Sequence, residues 1–519
     1  MQKKTKNIEK LNKPINQMSK KKKIGFLSAI MFVIGSSIGA GIFIKNGEIT
    51  TNTGDSILLA VIAWVIAFVG IFSMALALIE IVSASKVDNK EGIVGWVKTF
   101  SNKYLYLGCR NFMAYVYLPI NIFAMPYYVV QQLNEGVGWD AEWYWVALIA
   151  FAVMVYFVIT TALSSKLANI QNWISLIIKF FPLIVATCIG FVYLAMNNGQ
   201  FTNNPITPMP TPEDKTQVYF NNISPILGIF MSIPSILFVV DGFYSSTAIQ
   251  TSMREPKKMS KAILVGLMVI TVIDLLIALS LMFGPKQGGG IGIFSDWMPS
   301  WLYETMQILI TIGILGIVNG MCAYSGKMYE DMIENKTILF HKQIVERFGL
   351  STKKATIFYA LVINITIFLL ATLIGCFFIN TSIYTEYSSD RLCSLYSFID
   401  LTANWTSLFA FLIIVMSLIG GLRNRKTKEV TVTKSKYFYV PAIITTVIIF
   451  TSVVMEIVKS VGNIGLAIAW FNDFDDRKYA VERLVGSILM VLTMILFFMV
   501  IAWPTMHAKV SNKYRMKVQ

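Results

Sequence analysis

Charge-poor apolar runs of roughly 20 residues recur along the whole chain, separated by short polar or basic connections. A run of that length, coiled as a helix, crosses a hydrocarbon core of about 30 Å. The pattern places spans near 26–50, 56–79, 109–132, 143–163, 171–196, 222–252, 262–284, 302–325, 355–378, 396–421, 437–459 and 484–505. Two of these are interrupted. Span 1 holds Gly35-Ser36-Ser37-Ile38-Gly39-Ala40-Gly41-Ile42-Phe43, and span 6 holds Phe238-Val239-Val240-Asp241-Gly242-Phe243. Counting five spans onward from each break gives a repeat of spans 1–5 and 6–10, with 11 and 12 added. Breaks at matching places in two halves point to an inverted-repeat transporter and to its binding site. The expected fold is an all-α membrane protein of twelve transmembrane helices, a five-plus-five inverted repeat with discontinuous spans 1 and 6.

The same pattern divides the chain. A basic tail (1–25) precedes the first repeat (26–196). A loop (197–221) with Pro205, Pro208, Pro210 and Pro212 leads to the second repeat (222–421), followed by spans 11–12 (422–505) and a tail (506–519). Within the basic segment 84–108, residues around Gly92–Phe100 read as a short amphipathic helix against the inner face.

Composition fits this picture: 55% hydrophobic residues, 14% charged and a mean hydropathy of +0.62 exclude an ordinary soluble domain. The net charge of +15 first suggests nucleic acid, but its distribution argues otherwise. With the N-terminus inside, most Lys and Arg fall in the tails and inner loops, the positive-inside pattern of a plasma-membrane protein with both termini cytoplasmic. Lys20–Lys23 then reads as a topology anchor. No small-residue cleavage pattern precedes the glycine stretch, so residues 1–30 are expected to be retained. Five scattered cysteines and two histidines outside the spans, His341 and His507, indicate no disulfide framework, metal or cofactor. No nucleophile–base pair suggests an enzyme.

The breaks carry the chemistry. Gly35 and Gly39 form a small-xxx-small pair that close helix packing alone would explain. Gly41 and the two serines add small residues on every face, which packing does not need. A helix restarting near Gly41 presents free N–H groups and a positive dipole end, suited to a carboxylate at Gly39, Ala40 and Gly41 with Ser37 nearby. In span 6 a mid-span carboxylate, Asp241, costs about 2.5–3.5 kcal/mol on insertion scales and so faces a cavity or a partner. Gly242 favours an unwound backbone there. Carbonyls at Phe238 and Asp241 would suit an ammonium group, and Phe243 with Tyr244 reads equally as a lid or as packing. Together the two breaks describe a receptor for a zwitterion. Lys179 in span 5 admits two readings: a buried ammonium that exchanges a proton or fixes charge, or a lysine snorkelling to the inner interface. Asp274 reads as half of an internal pair with no nameable partner, Asp400 as solvated near the outer boundary, and Glu80 as an anchor for the inner loop.

Several motifs resemble the amino acid–polyamine–organocation superfamily of permeases. Gly35–Phe43 is similar to its first-span signature, with Ala40 in place of the usual serine, and Ala75–Glu80 is similar to the end of its second span. The Pro-x-Ala-Gly-Gly that follows in the family is degraded here to Asp88–Gly92. Lys179-Phe180-Phe181-Pro182-Leu183 resembles its fifth-span segment, whose lysine is tied to proton coupling, and Phe238–Phe243 its unwound sixth span. Arg254–Lys258 is similar in character to the inner end of that span. The resemblance implies a secondary transporter that carries amino acids by alternating access, by proton coupling or exchange. Its substrate site would be formed by Ser37, Gly39, Ala40, Gly41, Phe238, Asp241, Gly242 and Phe243, with Lys179 as the coupling residue. A polyamine or cationic amino acid carrier is the alternative within the class. An ion channel is the alternative outside it. Expected partners are a small-molecule substrate, protons and the lipid bilayer, with no nucleic acid.

Overall fold

The structure, a computed structural model, describes residues 25–37, 39, 41–84, 92–139, 141–200, 220, 224–246, 253–285, 289–379, 389–472 and 477–518. Among them all regular elements are helical, as an apolar solvent requires of a spanning backbone that must satisfy its own N–H and C=O groups. Eleven helices are long and apolar enough to cross a membrane, and a bent pair completes twelve. Span 1 is that pair, half 1a (Phe26–Ser37) and half 1b (Gly41–Asn52), bent by 53°. Span 2 is Ile57–Ala84, span 3 Lys103–Val137, span 4 Trp143–Leu163 and span 5 Lys166–Met196. Span 6 is Ile226–Ser246, span 7 Met259–Met282, span 8 Ser300–Glu334 and span 9 Thr352–Phe377. Span 10 is Asp390–Thr427, span 11 Tyr439–Ala469 and span 12 Ala480–His507. The helix of span 12 continues to Val518, so the segment expected as a C-terminal tail is largely a helical extension. Most of the N-terminal tail and of the loop 197–221 lies outside the described residues.

Contacts between spans carry the repeat. Spans 2 and 7, 3 and 8, and 4 and 9 pack on one another, and further contacts come in matched pairs: 1 on 7 with 6 on 2, 3 on 9 with 8 on 4, and 3 on 10 with 8 on 5. Advancing both members by five thus converts one contact into another, as a pseudo-two-fold relation demands. Because five is odd, the second repeat begins on the opposite side of the bilayer from the first, which makes the relation inverted. Spans 3, 6 and 10 are the most enclosed, while 4, 9, 11 and 12 turn rows of Leu, Ile, Val and Phe outward.

Spans 1 and 6 touch backbone to backbone in antiparallel register. Asn52 meets Gly228, Val239 meets Gly41, and Ser36 meets Gly242. A Cβ on Gly41 would lie 3.2 Å from the Val239 Cα, and one on Gly242 would lie 2.9 Å from the Ser36 carbonyl oxygen. At Gly228 it would overlap the Asn52 carbonyl outright. Glycine at each crossing allows an approach that any side chain would hold apart.

The helix Ile93–Phe100 forms as expected but is wedged into the protein. Ile93, Val94, Trp96 and Val97 are buried, and Gly420 of span 10 lies against the Phe100 carbonyl. Glu80, at the end of span 2, is held by Arg425 of span 10 in a two-pronged pair whose Nε–Oε1 distance is 2.7 Å. The same carboxylate accepts the Ser435 N–H at 2.8 Å, and Arg425 donates to the Ser435 carbonyl at 2.7 Å. Glu80 therefore anchors the connection between spans 10 and 11.

Asp400 departs from its sequence reading. It is 3% exposed rather than solvated, because the neighbouring spans close over it. The Lys45 ammonium of half 1b donates to its carboxylate at 2.7 Å and to Glu48 at 3.1 Å, and the Tyr128 hydroxyl of span 3 also donates to it. Asn404 donates to Glu48 at 2.9 Å and to the Ser235 hydroxyl at 3.2 Å. One buried polar network thus ties spans 1, 3, 6 and 10 together.

Removing one partner of a buried charge pair strands the other in low dielectric. Arg425→Ala is expected to lower stability by about 3–5 kcal/mol, read as a lower melting temperature of the purified protein. Adding Glu80→Gln to it should recover part of the loss.

Candidate functional site

The two breaks open on one cavity. It is lined by Ser36, Ser37, Gly41 and Ile44 of span 1, Asn121 and Met125 of span 3, Phe238, Val239 and Asp241 of span 6, and Ile317 and Met321 of span 8. All four spans belong to the inverted repeats, two from each half.

Half 1b begins at Gly41, so its first N–H groups have no acceptor within the helix. They stand at the edge of the cavity with the positive end of the helix dipole. The helix Ile233–Val240 of span 6 ends at Asp241, whose backbone turns extended (φ −65°, ψ 162°). Gly242 follows at φ +87°, a left-handed conformation that favours glycine. The unwinding leaves the last carbonyls of the half-helix near the cavity, but two already have donors. The Ser37 hydroxyl donates to the Val240 carbonyl at 2.5 Å, and the Asp241 N–H donates to the Phe238 carbonyl at 3.2 Å. Ser37 thereby bolts the end of half 1a to the end of the span 6 half-helix.

The Asp241 carboxylate is built into place. Oδ2 accepts from the Tyr117 hydroxyl of span 3 at 2.8 Å and from the Ser407 hydroxyl of span 10 at 2.7 Å; Oδ1 accepts from the Gly242 N–H at 2.8 Å. No cationic side chain pairs with it among the described residues. Neutral donors orient the carboxyl group at the cavity wall, and no cationic side chain among the described residues neutralises it.

Lys179 does not snorkel. Its ammonium is buried and donates to the Gly35 carbonyl at 2.6 Å, in the last turn of half 1a. Span 8 backs it at Gly313, where a Cβ would lie 3.3 Å from the Lys179 Cβ. One turn earlier, the Ser175 hydroxyl donates to the Ile312 carbonyl at 3.0 Å. The lysine is therefore fixed at the junction of spans 1, 5 and 8.

Of the expected site residues, Ser37, Gly41, Phe238 and Asp241 line the cavity together. Ala40 lies outside the described residues. Gly39 faces Ile317 of span 8, where an added Cβ would come within 2.7 Å of the Ile317 Cδ1. Gly242 shapes the backbone behind the wall. Phe243 is fully buried and packs on Tyr244 and Phe411, with ring centroids 5.4 and 6.3 Å away. Sequence reasoning missed Asn121, Met125, Ile317 and Met321, which lie in unbroken spans with nothing local to mark them. It also missed Tyr117 and Ser407, the donors to Asp241, although a buried carboxylate requires such donors.

The chain is similar to several known proteins. An uncharacterized protein of Mycoplasma pneumoniae (strain ATCC 29342 / M129 / Subtype 1) is 33% identical over 92% of this chain and 92% of its own length. The serine/threonine exchanger SteT of Bacillus subtilis (strain 168) is 24% identical over 50% of this chain and 55% of its own. The crystal structure of MhsT in complex with L-phenylalanine aligns with a TM-score of 0.47 and 11% identity, over 83% of this chain and 98% of that one. The sequence pattern of the amino acid permeases matches residues 24–472, nearly the whole helical bundle, and the chain belongs to that family of membrane transporters.

Proposed function

We propose that the protein carries neutral amino acids across the plasma membrane by alternating access, with both termini cytoplasmic. The observation that carries this reading is that the interrupted halves of spans 1 and 6 end on one cavity with opposite dipole ends. The start of half 1b at Gly41 suits the substrate carboxylate. The Asp241 carboxylate, oriented and without a protein counter-ion, suits the α-ammonium. Carbonyls near Phe238 add acceptors.

Side-chain preference follows from the rest of the wall. Ile44, Met125, Val239, Ile317 and Met321 are apolar, and Asp241 is the lone carboxylate among the lining residues. A substrate whose ammonium occupies that charge leaves no second carboxylate for a polyamine or a basic side chain. The half-length similarity to a serine/threonine exchanger supports an amino acid substrate and leaves exchange and proton coupling both open to test. In the cycle, spans 1, 2, 6 and 7 would rock against the others, and Lys179, gripping the Gly35 carbonyl, would report the position of half 1a to span 5.

Uptake and counterflow of labelled amino acids in proteoliposomes test the reading. Saturable counterflow of neutral amino acids supports it. Competition by putrescine or lysine alone would favour the cationic carrier, and conductance far above carrier turnover would favour a channel. Gly41→Leu should abolish uptake while the protein still inserts, because the side chain would enter the contact with Val239; undiminished uptake would reduce the glycines to packing. Asp241→Asn keeps the shape and removes the charge. A charged hydrogen bond is worth about 1.5–3 kcal/mol, so apparent affinity should fall roughly tenfold or more.

A further inference from the structure

Among the described residues, one buried carboxylate has a hydrogen-bond partner on neither oxygen. It is Asp274, midway along span 7 and 1% exposed. An unsatisfied buried acid is costly and marks either strain or function. Close contacts flank it on span 7 in this conformation. Toward one end, Gly190 of span 5 lies against the Ser280 backbone and donates its N–H to the Ser280 hydroxyl at 2.9 Å. Toward the other, Gly266 lies against Val33 of half 1a. Asp274 is pinned between these two crossings.

The charged surroundings of Asp274 are simple. Among the described residues, the charged group near enough to act on it is Lys179 of span 5, which packs against span 7. Half 1a has no titratable residue. On half 1b, Lys45 and Glu48 are engaged with Asp400 and Asn404. On span 2, Glu80 is engaged with Arg425, and on span 6, Asp241 with Tyr117 and Ser407. Lys179 meanwhile holds the Gly35 carbonyl at the break.

We propose that Asp274 is the proton-binding carboxylate of the transport cycle, working opposite Lys179 at the junction of half 1a with spans 5 and 7. The inference rests on the transport reading above. When Asp274 is ionised, its charge opposes the Lys179 ammonium and holds span 7 to span 5. When a hydronium ion gives it a proton, an O–H bond forms on the carboxylate, water leaves, and the opposing charge is gone. The ammonium then keeps the Gly35 carbonyl as its main anchor, so the grip on half 1a changes relative to span 7. Proton occupancy at Asp274 and the position of half 1a are thereby coupled.

The test has two arms. In the first, infrared difference spectra of the full-length protein in nanodiscs are recorded between acidic and alkaline buffer, with no substrate present. A carboxylic acid C=O band is expected that disappears in Asp274→Asn and moves in frequency in Asp274→Glu. Spectra unchanged by either variant overturn the proposal, and the Glu variant decides the matter should the Asn variant not be recovered. In the second arm, proteoliposomes take up whichever common L-amino acid the wild-type protein exchanges best. Asp274→Asn should retain counterflow while gradient-driven accumulation falls at least tenfold. Accumulation that persists in the variant, or is driven by sodium in place of the pH gradient, overturns the proposal. If the wild-type protein transports no amino acid, the transport reading fails, and the infrared arm still shows whether Asp274 binds a proton.

Discussion

Everything at the centre of this protein depends on how closely the backbones of spans 1 and 6 approach. Their antiparallel register runs from Asn52 against Gly228, through Gly41 against Val239, to Ser36 against Gly242. Contact at this distance leaves no room for side chains, so the helical ends at Gly41 and Asp241 come to lie beside the same space. Without it, two broken helices would be two separate defects, each with polar backbone groups stranded in an apolar medium. With it, complementary dipole ends share one cavity, and the Ser37 hydroxyl can reach the Val240 carbonyl to fasten them.

Charged residues hold this centre to the rest of the bundle by different means. Arg425 and Glu80 form a compact pair far from the cavity, and they secure the connection after span 10. Lys45 serves two carboxylates at once, with Tyr128, Asn404 and Ser235 completing a network that adjoins the site through the Phe238 ring, 5.3 Å from the Lys45 ammonium. Asp241 differs from both. It has neutral donors and, among the described residues, no cationic partner. Ion pairing, and not burial, separates Asp241 from Glu80 and Asp400.

How legible each part was follows from the range of the interaction that fixes it. The spans were readable because crossing a bilayer is a local requirement on about 20 consecutive residues. The breaks were readable because glycine clusters and a mid-span Asp-Gly are local anomalies with a direct backbone consequence. Gly39 and Phe243 were assigned by their place in the breaks, and their surroundings, Ile317 for one and Tyr244 with Phe411 for the other, are visible only in the fold. Near a break, neighbours in sequence diverge in direction, so what each one faces is decided by the fold. Asp400 was misjudged because its distance from the span end was visible, whereas the closure of spans 1 and 3 over it was not.

By itself the sequence determined the helical class, the number of spans and the two breaks, because each depends on residues close along the chain. The tertiary structure alone decided which spans complete the cavity, which hydroxyls hold Asp241, and that Lys179 reaches Gly35 while facing Asp274. Those contacts join residues far apart in sequence, brought together by the packing of one repeat against the other. Hydrophobic pattern says only that a helix will sit in the bilayer, and leaves the direction of each face to its neighbours.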